Sequence, residues 1–255
     1  MTDDRGPLRW LTIDRPERKN AIPFDGWDEL REAFEDFEKS GQRVLVVTGA
    51  GGEFCAGADL DPSRLDRMQT VADRHLRMKV VGAAAMALHR LTKPTIAAVD
   101  GVAVGAGMNL ALGCDVVVAT ERARFAEIFV RRGLTVDFGG SWLLPRVVGL
   151  QRAKELALSG RIVEAAEAAR IGLVAEVVPV EELERRATEL AESFLQGAPM
   201  AQMFAKQTIE AAFQISLADA LSWEGDAQSV ALGTEDAAEG LLSFLEKRDP
   251  VWKGR

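Results

Sequence analysis

Runs of apolar residues alternate along the first half of the chain with segments whose apolar residues recur at helical spacing. Within 24–40 the apolar positions are three and four residues apart, which predicts an amphipathic helix, and 65–91 is also predicted to be largely helical. Four apolar runs read as strands: Leu8–Ile13, 44–48, Thr95–Val99 and 116–119. Strands that alternate with helices indicate an α/β core.

The pattern becomes almost wholly helical in the last 105 or so residues. A short apolar run at 175–178 is the only further strand that it suggests. The predicted helices are 151–158, 164–171, 181–196, 199–213, 216–232 and 235–247. The final helices are amphipathic, and their apolar faces are expected to pack either on a neighbouring subunit or on the core of the same chain.

Composition and charge exclude several classes of protein. The net charge of −8 opposes binding to nucleic acid, whose phosphates would be repelled. Cys55 and Cys114 are the two cysteines, and their spacing fits neither a disulfide framework nor a zinc site. The amino terminus has no apolar signal segment and the chain has no long apolar run, so we expect neither membrane insertion nor export, and a cytoplasmic location.

Two glycine-containing segments follow predicted strands and favour close approach of backbone to a ligand. The first, 54–60, contains Ala58, and the second, 100–110, contains Ala106 and leads into an apolar helix. Free N–H groups in such places suit a phosphate or a developing oxyanion, although an ordinary strand-to-helix connection is the alternative. Leu110 occupies the sixth position of the GxGxxG pattern, so a dinucleotide site is excluded there.

A third segment, 133–146, places one carboxylate, that of Asp137, among apolar and aromatic residues. Burial would raise its pKa toward neutrality, as a general base or acid requires. The alternative is that Asp137 merely caps the helix that the following Gly139-Gly140 opens.

These three segments, in order with 13–21 and 235–248, resemble the crotonase superfamily, the enoyl-CoA hydratase/isomerase family. The resemblance covers nearly the whole chain and is closest to the aspartate-type enoyl-CoA isomerases. It implies an α/β fold, with a crotonase-like ββα spiral core at 1–196 and a C-terminal helical trimerisation region at 197–255. It also implies a homotrimer or a hexamer built as a dimer of trimers, and an acyl-CoA thioester as substrate.

By the same resemblance, the backbone N–H groups of Ala58 and Ala106 form an oxyanion hole for the thioester carbonyl, and Asp137 moves the proton. No metal or other cofactor is implied, because coenzyme A is part of the substrate. The residues expected to bind substrate are Arg18, Lys19, Ala21, Ala56, Asp59, Leu60, Asn109, Phe129, Phe138, Trp142, Phe244 and Lys247. Among these, Arg18, Lys19 and Lys247 would meet coenzyme A, and the three aromatics of the middle segments would shape an apolar acyl pocket.

The chain departs from the hydratase members of the family at both glutamates that hold the attacking water. The first falls at Asn109 and the second at Phe129, and Glu127 is two residues out of register. Double-bond isomerisation by Asp137 is therefore expected, with hydration of a 2-enoyl-CoA as the alternative. A non-catalytic acyl-CoA-binding protein and a serine hydrolase using Ser141 are further alternatives, and the dehalogenase branch, which also has an aspartate here, lacks assignable partners.

Overall fold

The structure is a computed structural model that describes residues 1–60 and 70–255. The described strands are β1 (Thr2–Arg5), β2 (Leu8–Ile13), β3 (Val44–Gly49), β4 (Thr95–Val99), β5 (Val102–Val104), β6 (Val116–Thr120), β7 (Arg124–Ala126), β8 (Val163–Glu164) and β9 (Glu176–Val178). The described helices are α1 (Gly26–Lys39), α2 (Val71–His89), α3 (Ala106–Leu112), α4 (Gly140–Val148), α5 (Leu150–Ser159), α6 (Ala165–Arg170), α7 (Leu183–Leu195), α8 (Pro199–Ala211), α9 (Leu217–Leu232) and α10 (Glu235–Glu246). Short 3₁₀ turns cover Pro16–Arg18, Ala50–Gly52, Ile128–Arg132 and Val180–Glu182.

The described strands form two sheets. The larger sheet has the order β1-β2-β3-β4-β6-β9, and all its neighbours are parallel except β1 and β2. The smaller sheet has the order β5-β7-β8. Because β4 runs into β5 and β6 runs into β7, the chain passes twice from the larger sheet to the smaller one.

Both faces of the larger sheet are buried, which explains the continuous apolar runs of its central strands. Val44 and Val46 of β3 face a core cluster that includes Leu183, Ala187 and Ala191 of α7. The alternate residues of β3 belong to the main cluster, into which α1 buries the stripe Trp27, Leu30, Phe34 and Phe37. This second face is the one beneath the functional site, since α3 is buried in the same cluster.

The sequence expectations for the sheet and helices are largely confirmed. Each predicted strand and helix has a counterpart, with ends that differ by up to about three residues, apart from the wholly undescribed start of the 65–91 helix. Residues 65–69 of that prediction lie outside the described residues. The polar edge strand β1 and the short strands β5, β7 and β8 were not predicted.

The last helices leave many apolar side chains on the surface. No residue of α8 or α9 is fully buried, and Phe244 of α10 is 81% exposed. The other large exposed apolar residues of this region include Ile209, Phe213, Leu217, Leu221, Trp223, Val230, Leu232, Leu241 and Leu245. Trimerisation through 197–255 stays a prediction, as does the boundary after residue 196. Within the described part of the chain, no helix has the length and apolar character needed to cross a bilayer.

Candidate active site

The first and second predicted oxyanion segments lie directly beside each other. Cys55 runs parallel to β5, where its N–H donates to Val102 (2.8 Å) and its carbonyl accepts from Val104 (3.1 Å). On its other side the first segment pairs with Ile22, which donates to Gly57 and accepts from Asp59. The strand β5 and the loop 55–59 therefore hold Ala58 close to the start of α3.

Gly57 is what permits this close approach. Its φ is +83°, and a Cβ built on it would lie 2.8 Å from the carbonyl oxygen of Val104 and 3.3 Å from the nitrogen of Ala106. A side chain at this position would separate the two segments. Ala106 is the first residue of α3, so its N–H has no acceptor within that helix, and Gly105 before it has no side chain to cap it.

The N–H of Ala58 points in a different direction from the N–H groups of Gly57 and Asp59, which both donate within the protein. Gly57 donates to the sulfur of Cys55 (3.4 Å), and Asp59 donates to the carbonyl of Ile22 (2.9 Å). Successive N–H groups of an extended segment point to opposite sides, so that of Ala58 points away from Ile22. The arrangement can present two main-chain donors, from Ala58 and Ala106, at one place.

Asp137 lies in the loop between the Ile128–Arg132 turn and α4. Its Oδ1 is buried and has no hydrogen-bond partner among the described residues, and burial raises the pKa of the carboxyl to about 6. The residue that caps α4 is Gly139, with no side-chain cap, so the alternative of Asp137 as a helix cap is wrong. A carboxyl group that titrates near neutral pH can accept and return a proton.

Phe138 anchors this loop in the core. Its side chain is buried, and its ring centroid lies 5.4 Å from that of Trp27 on α1. The backbone φ of Phe138 is +49°, a left-handed conformation that a bulky residue adopts only when its surroundings impose it. The contact between Phe138 and Trp27 thus fixes the loop that carries the neighbouring Asp137.

Asn109 links the Asp137 loop to α3. Its side chain is fully buried, and Nδ2 donates to the backbone carbonyl of Asp137 at 2.9 Å. A Cβ on Gly140 would lie within 2.5 Å of three atoms of the Asn109 amide, so glycine is required there. The hydrogen bond that the Asn109 side chain makes is thus with the protein backbone, and its contact with substrate stays a prediction.

Glu127, which sequence analysis placed out of register, is buried beside this group. It is 1% exposed, and neither carboxyl oxygen has a hydrogen-bond partner among the described residues. Burial raises its pKa to about 7, with a smaller opposing influence from the Asn109 amide and a further raising influence from Asp137. The carboxyl therefore lies near Asn109 and within electrostatic reach of Asp137. Glu127 directly follows β7, which has only three residues, so the sequence pattern did not indicate that Glu127 is buried here.

An apolar cavity of about 490 Å³ adjoins the Asp137 loop. Phe138 and Trp142 line it together with residues of α2 that include Met86 and His89, and their contact with an acyl chain stays a prediction. Phe129 is not among the lining residues of this cavity: its ring is buried and packs near Gly105, and its contact with substrate stays a prediction. His89, to which the sequence assigned no role, meets Trp142 edge to face with ring centroids 5.2 Å apart.

The opening loop is bound to the first oxyanion segment by charge. Asp59 accepts hydrogen bonds from Arg15 (2.7 Å) and Arg18 (2.8 Å), and the pKa of Asp59 lies below its usual range because of these two partners, chiefly Arg18. Lys19 pairs with Glu53 at 3.0 Å. These contacts position the loop, and the contact of Arg18 and Lys19 with coenzyme A stays a prediction.

The remaining predicted site residues fall into two groups. Three lie beside the ion pairs between the opening loop and the first oxyanion segment. Ala21 is buried, Ala56 donates its N–H to the carbonyl of Lys19, and Leu60 is half exposed. Phe244 and Lys247 lie at the end of α10, where the structure gives no contact with the site residues it describes. Across the described ranges, no three His, Cys, Asp or Glu residues cluster in a way that could hold a metal ion.

Comparison with known proteins identifies the family of this chain. Residues 6–255 match the family described as enoyl-CoA hydratase/isomerase. The chain belongs to the enoyl-CoA hydratase/isomerase family. It is therefore an enzyme of that family, and the crotonase-like fold expected from the sequence is confirmed.

Relatives within the family carry two kinds of name. The chain is 38% identical over 247 residues to a 1,2-epoxyphenylacetyl-CoA isomerase of Escherichia coli, covering 96% of this chain and 94% of the relative. It is 36% identical over 251 residues to a short-chain-enoyl-CoA hydratase of Clostridium acetobutylicum, covering 97% and 95%. A crystal structure of an enoyl-CoA hydratase from Bacillus anthracis superposes with a TM-score of 0.94 at 33% identity, covering 100% of this chain and 99% of that one.

Proposed function

We propose that this enzyme isomerises the double bond of an enoyl-CoA ester, with Asp137 as the single proton carrier. The carboxylate of Asp137 removes a proton from one carbon of the acyl chain, and the electron pair moves into the thioester carbonyl to give an enolate. The N–H groups of Ala58 and Ala106 stabilise the enolate oxygen. Asp137 then returns its proton to a different carbon, so the product has the same mass as the substrate.

The observation that carries this proposal is the state of Asp137. Its carboxyl has a buried oxygen with no hydrogen-bond partner in the described ranges 1–60 and 70–255, and a pKa of about 6 allows it to be ionised and then protonated at neutral pH. A relative at 38% identity is named 1,2-epoxyphenylacetyl-CoA isomerase, which supports an isomerisation of a CoA ester. Substrate activation comes from the thioester itself, so we propose that no metal or redox cofactor takes part.

Hydration of a 2-enoyl-CoA is the second candidate. Glu127 supplies a second buried carboxyl near Asp137, and water addition is well served by two polar groups. Relatives that are named hydratases are similarly close. Isomerisation is favoured because Asn109 donates to the Asp137 backbone and Glu127 is buried, so neither side chain of this pair is free to hold an attacking water.

A screen of enoyl-CoA esters by mass spectrometry tests the proposal. We expect an isomeric product of unchanged mass in H₂O, and in D₂O a product that gains less than one deuterium per turnover, because Asp137 returns the substrate's own proton. Asp137→Asn should lose at least about 100-fold in turnover while binding of a saturated acyl-CoA changes by less than about threefold. A product heavier by one water would favour the hydratase, and unchanged turnover in Asp137→Asn would remove Asp137 from the mechanism.

We further propose that the enzyme works as a homotrimer, or as a pair of trimers, in the cytoplasm. The exposed apolar residues of α9 and α10 support an interface between subunits, because contiguous apolar surface of this kind marks sites of association. Sedimentation measurements on the full chain test the oligomeric state.

A further inference from the structure

The direction of the Ala58 N–H is set by the peptide unit that joins Ala58 to Gly57. The carbonyl of that unit accepts the N–H of Ile22 at 2.8 Å. Carbonyl and N–H point in opposite directions across a planar trans peptide, so the Ala58 N–H points away from Ile22. Within the described ranges this N–H has no acceptor, which leaves it available to a ligand. The placement of the proposed oxyanion donor therefore depends on the contact between Gly57 and Ile22.

The N–H of Ile22 depends in turn on a guanidinium group. The peptide unit that supplies this N–H carries the carbonyl of Ala21, and Nη1 of Arg15 donates to that carbonyl at 3.1 Å. The same Nη1 donates to Oδ2 of Asp59 at 2.7 Å. Arg15 thus joins the peptide unit that orients Ala58 to the side chain of the residue that follows Ala58.

Asp59 is the acceptor that keeps Arg15 in this place. Its side chain is 4% exposed, and Oδ1 accepts a second hydrogen bond from Arg18 at 2.8 Å. Hydrogen bonds between ionised partners are about twice as strong as neutral ones, so this carboxylate is a firm attachment point. Neither Gly57 nor Ala58 has a side chain that could make such a contact. The side-chain attachment of this stretch to the opening loop is therefore made by Asp59.

The part of the opening loop that carries Arg15 is attached to the start of the same segment. Oδ1 of the fully buried Asn20 accepts the backbone N–H of Arg15 at 2.8 Å. Nδ2 of Asn20 donates to the carbonyls of Ala50 (2.8 Å) and Glu53 (2.5 Å). The loop therefore holds the segment at its beginning through Asn20 and at its end through Asp59.

We propose that Asp59 is a positioning residue for the oxyanion hole. Its carboxylate holds Arg15 against the carbonyl of Ala21, and this contact keeps the Ala58 N–H directed at the thioester oxygen, while Asp59 touches none of the reacting atoms. The inference rests on the proposed role of Ala58 as an oxyanion donor. Without the carboxylate the guanidinium group is released. The backbone can then turn at Gly57, whose φ is +83°, because glycine restricts rotation less than other residues do.

Two substitutions remove this contact to different extents. Asp59→Asn keeps the size and one carbonyl acceptor but loses the charge, whereas Asp59→Ala removes both acceptors. We expect kcat to fall about tenfold in the first and on the order of 100-fold in the second, because a misplacement of about 1 Å costs this much. KM should change by less than about threefold, since the lost interaction belongs to the transition state. Asp59→Asn carries the test if Asp59→Ala does not fold.

Asp4→Asn is the matched control. Asp4 forms an ion pair with Arg9 through two hydrogen bonds, of 2.6 and 2.9 Å, on the edge strand β1, which contains no residue of the proposed site. Its kcat should equal that of wild type. An equal loss of kcat in Asp4→Asn and Asp59→Asn would show that the effect is not specific to the oxyanion segment, and it would overturn the proposal.

The double variant Arg15→Ala/Asp59→Ala tests whether Asp59 acts through Arg15. Two residues that form one contact lose their effect together, so the kcat of the double variant should lie within about threefold of the slower single variant. Losses that multiply would mean that Asp59 and Arg15 act independently, which overturns the proposal. A loss confined to KM in Asp59→Asn and Asp59→Ala also overturns it, because Asp59 would then only bind substrate.

The infrared carbonyl band of a bound saturated acyl-CoA ester reports the oxyanion donors without any turnover. An isotope-labelled thioester carbonyl should absorb at lower frequency on the wild-type enzyme than in water, because two N–H groups polarise it. The shift should be smaller in both Asp59 variants and unchanged in Asp4→Asn and Asp137→Asn. A wild-type shift in Asp59→Ala overturns the proposal. Full turnover in Asp137→Asn would instead refute the proposed function, and it would leave this band where it is.

Discussion

The side chain of Asn109 donates a 2.9 Å hydrogen bond to the backbone carbonyl of Asp137. Asn109 stands three residues after Ala106 on α3, so this bond joins the loop of the proposed base to the helix that carries one proposed oxyanion donor. The two parts of the site are thereby fixed relative to each other. A displacement of about 1 Å between such groups can cost on the order of 100-fold in rate.

Gly140→Ala should disrupt that connection. The added Cβ would lie 2.3 Å from Nδ2 of Asn109, in a buried position where neither partner can move freely. We expect a loss of about 1–3 kcal/mol in the free energy of unfolding and a fall of at least about tenfold in turnover. Urea unfolding and steady-state kinetics measure the two effects.

The matched control is Gly41→Ala in the exposed connection between α1 and β3, where a Cβ meets nothing within 4 Å. It should stabilise the chain by up to about 1 kcal/mol and leave turnover unchanged. If Gly140→Ala behaves like this control, the contact between Gly140 and Asn109 has no part in holding the site.

Ala106→Pro should remove one oxyanion donor without a change in side-chain chemistry. Proline is tolerated at the first residue of a helix, which is the position of Ala106 in α3, but it has no N–H. We expect kcat to fall about 100- to 1,000-fold while the circular dichroism spectrum stays that of wild type. Ala106→Ser, which keeps the N–H, is the control, and equal rates in the two variants would exclude this N–H from catalysis.

The rate should fall in acid with the titration of Asp137. Burial raises the pKa of this carboxyl to about 6, and the carboxylate is the form that removes a proton. Below about pH 6, kcat/KM should therefore decline about tenfold per pH unit, and above it the rate should level off. Initial rates across this range, with the enzyme's stability checked at each pH, make the measurement. A rate that stays level down to about pH 4.5 would contradict the proposed role.

Glu127→Gln should stabilise the chain at neutral pH and much less in acid. Since the pKa of Glu127 rises from 4.5 to about 7 on folding, the folded state holds an extra proton between these values. The contribution of Glu127 to stability is complete below about pH 4.5 and is lost as the pH rises to about 7, by about 3 kcal/mol in all. Glutamine does not titrate, so the difference in unfolding free energy between variant and wild type should grow over this interval. An unchanging difference would mean that Glu127 is ionised in the folded chain.

The central sheet and most helices could be predicted because the apolar pattern within each segment reflects which of its faces are buried. The strand β3 is apolar throughout because both its faces are covered, and α1 carries a buried stripe at helical spacing. The strand β1 could not be found in this way. Its residues Thr2–Arg5 are all polar and exposed, and it exists because β2 offers an antiparallel edge.

The site was predictable where a motif marks the backbone, and less so where tertiary packing decides. The segments around Ala58 and Ala106 were expected to meet, and they lie against each other. The burial of Glu127 depends on β7 entering the small sheet, and three residues carry too little pattern to indicate this. Phe129 was assigned to the acyl pocket from its position in the motif; its ring packs toward Gly105, and the assignment stays a prediction.

Because the backbone of Phe138 is left-handed, the position of the neighbouring Asp137 carboxyl depends on contacts with α1. That conformation is unfavourable for an aromatic residue by itself, and the tilted contact of its ring with Trp27 helps to hold it. Loosening α1 would let the loop relax to an ordinary conformation and carry the Asp137 carboxyl out of line. Trp27 thus supports the proposed reaction through the position of Asp137.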